Sequence, residues 1–166
     1  MSEFALRPAG AADHPVLEML MSEQIVSEQD FDIRKIDVAW VHSENCQSYI
    51  KMVCNAPDQG ISMIANTGHD DPVGFLCGRF IRLSDIFSVS DTTMFSIDYL
   101  FVRPNFRRQG VAAMMLNAIE TRMRRQGVTA LRVSASVGNS AALKTYQAQA
   151  FQAVEMSLEK PLFPPL

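Results

Sequence analysis

Cysteine is scarce: Cys46, Cys54 and Cys77 are the only three in 166 residues, an odd number at irregular spacing. They form no metal signature and point to a reducing compartment, read here as the cytoplasm. His14, His42 and His69 are scattered without metal-ligand spacing, so no metal is expected. No apolar run approaches ~18 residues, so no membrane span or membrane partner is expected. The first eight residues lack a basic stretch followed by an apolar one and do not read as a signal peptide. Repeats, low-complexity tracts and long linkers are missing too, and the length suits one domain, residues 1–166, with a core of its own. Neither Gly-Lys-Ser/Thr nor Gly-x-Gly-x-x-Gly occurs, which removes the phosphate loop of nucleotide hydrolases and the dinucleotide fingerprint. Basic charge is not in excess: 15 Lys and Arg stand against 18 Asp and Glu, net −3. A nucleic-acid partner is therefore not expected.

The charge is unevenly spread. Residues 103–132 hold seven arginines (103, 107, 108, 122, 124, 125 and 132) and a single acid, Glu120, so this stretch carries +6 and the remainder −9. Such a basic segment suits a polyanionic ligand, although part of it fits a solvated helix face equally well. Within it, Arg107, Arg108, Gln109, Gly110, Val111 and Ala112 give Arg-x-x-Gly-x-Ala, between a strand-like run at residues 97–102 and the start of a helix. The first free amides of a helix carry partial positive charge and stabilise a phosphate. Gly110 lets the backbone approach it, and Arg107 and Arg108 add charge of the right sign.

The pattern along the chain predicts a strand at residues 4–7, then a helix with Asp13 as its cap and Pro15 in its first turn. Residues 23–35 read as a loop or broken helix, and 37–54 as a helix. Strands follow at 61–65 and 73–83, a loop at 84–92, and a strand at 94–102. Residues 109–126 form an amphipathic helix whose Val111, Met115, Ile119 and Met123 recur every four residues as core, with Gly127 as its stop. A strand at 129–135, a helix at 139–149 and a last strand at 151–159 complete the order. This is an α/β chain with a mixed sheet and helices on both faces. Trp40 reads as core, its alternative being the acceptor pocket.

Residues 97–112 resemble the acetyl-CoA-binding motif of the GCN5-related N-acetyltransferase (GNAT) superfamily. Residues 139–151, with Asn139, Ala142, Tyr146 and Phe151, resemble a second segment of that family, Asn-x-x-Ala-x-x-x-Tyr-x-x-x-Gly-Phe. Ala150 stands where the family usually has Gly. The resemblance implies a mostly antiparallel central sheet splayed at the cofactor site. It implies that Leu100, Phe101 and Val102 offer backbone groups to the pantetheine arm. Residues 107–112 would hold the pyrophosphate, and Asn139 would contact the arm. Acetyl-CoA is then the co-substrate, and its acetyl group passes to a primary amine of a small molecule or protein by direct attack in a ternary complex. A non-catalytic acyl-CoA-binding module of the same fold, and a nucleotide- or nucleic-acid-binding domain, are the rival readings.

Under that resemblance Tyr146 is the candidate general acid, its alternative being a packing residue on the last helix. Asp98 is the candidate base, directly or through a water; otherwise it orients substrate or pairs with an Arg. Strand alternation puts Tyr99 on the opposite face from Asp98. Asp13, Glu18, Glu23, Glu28, Asp30, Asp32 and Asp37 outnumber Arg34 and Lys35 in residues 13–37, so they form either a rim for a cationic acceptor or a solvated helical face. A homodimer is conceivable, with the apolar tail at 162–166 as contact surface or as a loose end.

Overall fold

In the computed structural model, which describes residues 4–29, 31, 37–83, 92–160 and 162, five strands lie side by side in chain order. They are β1 (Phe4–Pro8), β2 (Gly60–Thr67), β3 (Pro72–Leu83), β4 (Thr92–Val102) and β5 (Ala130–Val133). The first three pairings are antiparallel and β4–β5 is parallel. The helices are α1 (His14–Glu28), α2 (Glu44–Asn55), α3 (Val111–Arg125) and α4 (Ser140–Ala148).

The sheet separates two cores. On one face α1 and α2 bury Leu17, Leu20, Met21, Ile50 and Val53 against Ile64, Phe75, Cys77 and Phe101. On the other, Val111, Met115, Ile119 and Met123 of α3 pack on Met63, Leu76, Phe95 and Ile97. Because both faces are covered, β2 is buried on both: seven of its residues in succession, from Gly60 to Asn66, are buried. The expected mixed sheet with helices on both sides is what forms, and Trp40 packs against the first core as read.

Pairing between β3 and β4 steps from Cys77↔Tyr99 to Gly78↔Ile97 and leaves Asp98 without a partner across the strand. This is a β-bulge, and it reverses the inside–outside order of β4. Phe95 and Ile97 face α3, and beyond the bulge it is Leu100 and Val102 that do so, while Phe101 and Tyr99 face α1 and α2. Gly78 accommodates the bulge: a Cβ there would collide with the Ser96 carbonyl oxygen and the Phe95 ring.

Four sequence expectations need correction. Helix α1 continues to Glu28 through residues read as a loop or break, because Gln24 and Ile25 are buried and extend its apolar face. The helix expected over 37–54 is interrupted: a 3₁₀ turn, Val38–His42, precedes α2, whose Ser43 cap accepts from the Cys46 N–H at 3.3 Å. Asp13 precedes α1 but does not cap it with its side chain. Arg7 takes that carboxylate at 2.7 and 2.9 Å, holding it below its usual pKa range, and the Gly10 N–H donates to it at 2.9 Å. Finally, residues 151–160 form no strand. The loop expected at 84–92 lies, but for Thr92, outside the described residues.

Helix α4 ends in a left-handed residue, the position where the family usually has glycine. Ala150 has φ +62°, and the Phe151 N–H returns to the Tyr146 carbonyl at 3.0 Å. A left-handed alanine costs about 1 kcal/mol relative to glycine. Ala150→Gly should therefore raise stability by about that amount, a shift of about 2–4 °C in Tm for a chain of this size, read by thermal unfolding.

Candidate active site

The site begins where β4 and β5 part. They pair only from Met94↔Ala130 to Ile97↔Val133. Beyond Ile97 the β4 edge facing β5, from Asp98 to Val102, has no strand beside it among the described residues. Leu100, Phe101 and Val102 direct their side chains into the two cores, so what they offer along this edge is backbone. This is the splay that the resemblance implied.

At the far end of β4 the chain is held by arginines. Arg103 donates to the Glu23 carboxylate at 2.6 and 2.7 Å and to the Pro72 carbonyl at 2.6 Å, tying β4 to α1 and β3. Arg107 Nε donates to the Val102 carbonyl at 2.9 Å, and its guanidinium lies 5.8 Å from the Phe101 ring centroid. Gln109 Nε2 donates to the Asn105 carbonyl at 2.9 Å. Arg103, Arg107 and Gln109 thus brace the loop, and Arg107 and Arg108 are both exposed on it.

Arg108 (φ +60°) and Gly110 (φ +85°) both adopt left-handed backbone. Turns of this kind converge successive amides on one concavity. A Cβ on Gly110 would meet nothing within 4 Å, so glycine serves the dihedral and leaves open space before α3. The first intrahelical bond runs from the Met114 N–H to the Gly110 carbonyl at 2.9 Å. The amides before Met114 therefore have no acceptor within the helix, and they carry the positive end of its dipole. Val111 is buried and Ala112 packs on the second core, so both contribute backbone only. Open space, free amides and an exposed Arg fit a pyrophosphate.

Asp98, on the bulge, is largely buried and heavily bonded. Its Oδ2 accepts from the Tyr49 hydroxyl at 3.0 Å and lies 3.2 Å from Arg79 Nε; its Oδ1 accepts from the Ser96 hydroxyl at 2.8 Å. Tyr99 stacks edge-on against Tyr49 at 5.4 Å and lies 6.4 Å from Trp40. Both Asp98 and Tyr99 thus face Tyr49 of α2. The expectation that they lie on opposite faces fails because the bulge places two successive side chains on one side. Sequence reading missed Tyr49, Arg79 and Ser96 as partners of Asp98. The available signal was the three-residue step between the apolar residues Ile97 and Leu100, which marks a bulge.

Asn139 caps α4, its Oδ1 accepting from the Ala142 N–H at 3.1 Å. Tyr146, seven residues on, packs edge-to-face on Phe151 at 5.7 Å and against the α3-side core. Burial, and then the charge of Glu28, push its phenol up to about 12. Glu28 in turn accepts from Gln24 Nε2 at 3.0 Å, and Gln24 Oε1 is buried without a partner among the described residues. Past α1, the Phe31 carbonyl accepts from the Ser136 hydroxyl at 2.7 Å, which links this end of α1 to the loop before α4.

Among the described residues, each acid of 13–37 accepts a bond from within the chain. Asp13 binds Arg7, Glu23 binds Arg103, and Glu18 meets His42 at 2.8 Å and Gln47 at 3.0 Å. Glu28 binds Gln24, and Asp37 accepts from the Ala39 N–H at 2.9 Å. Asp30, Asp32, Arg34 and Lys35 lie outside the described residues. An open cavity of about 490 Å³ on α1, lined by His14, Glu18, Ser22 and His42 among others, shares no residue with the β4–β5 cleft.

The sequence profile described as Acetyltransferase (GNAT) family matches residues 22–151. That is most of the chain, and the protein belongs to the GNAT acetyltransferase family. No curated protein matches the chain. Among solved structures, a mutant of the BH1408 protein from Bacillus halodurans superposes with a TM-score of 0.81 at 14% identity, covering 96% of this chain and 99% of that one. A predicted acetyltransferase from Clostridium acetobutylicum, solved with acetyl-CoA, gives 0.74 at 19% identity and 96% of each chain. The aminoglycoside N-acetyltransferase AAC(6')-Iy, in complex with CoA, gives 0.72 at 18% identity, covering 97% of this chain and 95% of that one. All three share the fold.

Tyr146 also makes the fold sensitive to alkali. Its folded-state pKa of about 12 lies above the ordinary 10.0, so the unfolded chain ionises first. The stability this contributes is complete below pH ~10 and is lost as the pH rises through ~12. Half-buried Tyr49, also shifted upward, acts in the same direction. Denaturant unfolding from pH 8 to 12 should show a falling midpoint above pH ~10, and a shallower fall in Tyr146→Phe.

Proposed function

We propose that this chain transfers the acetyl group of acetyl-CoA to a primary amine of a small molecule or peptide, by direct attack in a ternary complex within one domain. The observation that carries this reading is the β4 backbone edge left open between Asp98 and Val102, with the free amides of α3 at one end and Tyr146 packed nearby. Acetyl-CoA is the co-substrate characteristic of the GNAT family, and it supplies a thioester carbonyl open to attack by nitrogen. The amides around Gly110 and the exposed Arg108 hold its pyrophosphate. The backbone of Leu100, Phe101 and Val102 holds the pantetheine amides, and the Asn139 side-chain amide contacts the arm.

Tyr146 gives its proton to the departing thiolate as the carbon–sulfur bond breaks and the carbon–nitrogen bond forms. Its raised pKa keeps that proton in place across the working range. The proton lost by the amine passes to Asp98 through a water. That route is favoured because both carboxylate oxygens already accept from Tyr49, Ser96 and Arg79, which restricts direct approach. Backbone N–H groups on the β4 edge face the carbonyl oxygen where negative charge develops.

A small-molecule acceptor is favoured by the wall that Trp40, Tyr49 and Tyr99 form beside Asp98. Several structures of similar fold are aminoglycoside acetyltransferases, one of them in complex with sisomicin. Of the acids of α1, Glu23 is neutralised by Arg103, whereas Glu18 and Glu28 accept from the neutral amides of Gln47 and Gln24.

Calorimetric titration with acetyl-CoA, with ADP and NAD as controls, tests the first half of the proposal; selective binding of acetyl-CoA is expected. Gly110→Trp should place a side chain in the open space before α3 and abolish that binding in a folded protein. Wild-type affinity would mean that the phosphate loop is misassigned. Against a panel of amines, Tyr146→Phe should lower kcat by about 100-fold with little change in acetyl-CoA affinity. An unchanged kcat would remove Tyr146 from the acid role.

A further inference from the structure

Arg79 lies on β3, opposite Ser96 of β4 in the sheet register. Cys77, two residues earlier, packs in the core under α1 and α2, and Phe80 packs on the α3-side core. Strand alternation therefore turns Arg79 to the face that carries Asp98 and Tyr49. Its side chain is 55% exposed, against 15% for Asp98. Nε alone approaches the carboxylate, 3.2 Å from Oδ2. The two terminal nitrogens make no hydrogen bond or ion pair to another described residue. The structural arginines of this chain behave differently. Arg7 closes on Asp13, and Arg103 on Glu23, with two nitrogens each. Arg79 keeps the outer edge of its guanidinium, the fork that matches a carboxylate, turned away from its partner.

A guanidinium in that place changes what Asp98 attracts. A lone carboxylate in a cleft draws any ammonium group. With Arg79 at 3.2 Å, much of that field is cancelled, and a polyamine meets Arg79 as a like charge. A molecule with its own amine and its own carboxylate fits instead. Its amine lies toward Asp98, and its carboxylate lies on the outer fork, where two parallel N–H···O bonds suit the planar group. The fork and Asp98 are side by side, so the two groups of the ligand must be near neighbours, as they are on one carbon.

We infer that Arg79 selects the acceptor by holding the carboxylate of a free α-amino acid, whose amino group receives the acetyl. The inference rests on the acetyl-transfer reading and names the substrate class of that site. The nitrogen–carbon bond forms as the carbon–sulfur bond breaks. The amine proton leaves through water to Asp98, and Tyr146 protonates the thiolate. Arg79 gives and takes no proton; it is a positioning residue.

The test sets a panel of free amino acids beside their carboxamides, which keep the shape and remove the charge, and beside the decarboxylated amines. In the wild type at least one free acid should exceed both relatives in kcat/KM by about tenfold, chiefly through KM. Arg79→Gln changes an exposed side chain and opens no cavity. It should raise KM for the acid about tenfold and leave the carboxamide and acetyl-CoA affinity as they were. Arg79→Lys, which keeps the charge without the fork, should fall between. A second readout needs no turnover: calorimetric titration of N-acetyl amino acids and N-acetyl carboxamides into the protein with CoA present. The acids should bind more tightly to the wild type and lose that advantage in Arg79→Gln. If this preference holds while no amine is acetylated, the transfer reading fails and the carboxylate site at Arg79 stands. The inference is overturned if acid and carboxamide bind alike in the wild type, if the carboxamides are turned over as well as the acids, or if the preference survives Arg79→Gln.

Discussion

β4 is paired on both edges only as far as Ile97, and the rest of the site depends on where that second pairing stops. Had β5 followed β4 to Val102, the backbone groups of residues 98–102 would be spent on a sheet ladder. Because the strands part, those groups face a gap whose walls are rigid elements. The bulge at Asp98 sits at the same point. It turns a carboxylate and an aromatic ring together toward α2, while the following residues resume their places in the two cores. One local irregularity therefore opens the cleft, orients its acid and preserves the packing on both sides.

Charge in this chain does two jobs, and position decides which. Arg103 and Arg107 lie within the basic segment, yet both are used to hold the end of β4, against Glu23 and Pro72 in one case and Val102 in the other. That bracing fixes the loop in which Arg108 and Gly110 take left-handed backbone, and so fixes the direction of the α3 amides. The acids of α1 behave likewise. Their count suggested an electrostatic rim, but the bonds they make are internal. A sum of charges along the sequence describes a field only after internal pairs are removed, because a paired charge contributes little beyond its partner.

Signals confined to one element were legible in the residues. The turn before α3 and α3 itself follow from Arg107 to Ala112 and the four-residue apolar spacing after them, and α4 from residues 139–149; the roles proposed for Asn139 and Tyr146 come from the resemblance alone. The Asp98 network was not legible. Tyr49 lies 49 residues from Asp98 and meets it only because α2 packs across the bulge. Gln24 and Glu28 read as loop, since the burial that makes them helical comes from the sheet beneath them. The alternation in residues 151–159 reads as a strand, but no strand forms there, because a strand exists only where a sheet edge accepts it.

What the sequence determined by itself was local: the order of elements as far as α4, the family and the glycine needed at position 110. These depend on dihedral preference and on periodicity within a few residues, which the chain carries whatever surrounds it. Tertiary structure alone decided which charges are internal, that Asp98 and Tyr99 share a face, and that β5 leaves β4 after Val133. Each of these is a pairing between residues far apart in the chain. Its outcome depends on which partner wins a competition for the same hydrogen bonds and the same space, and that competition takes place only once the sheet has formed.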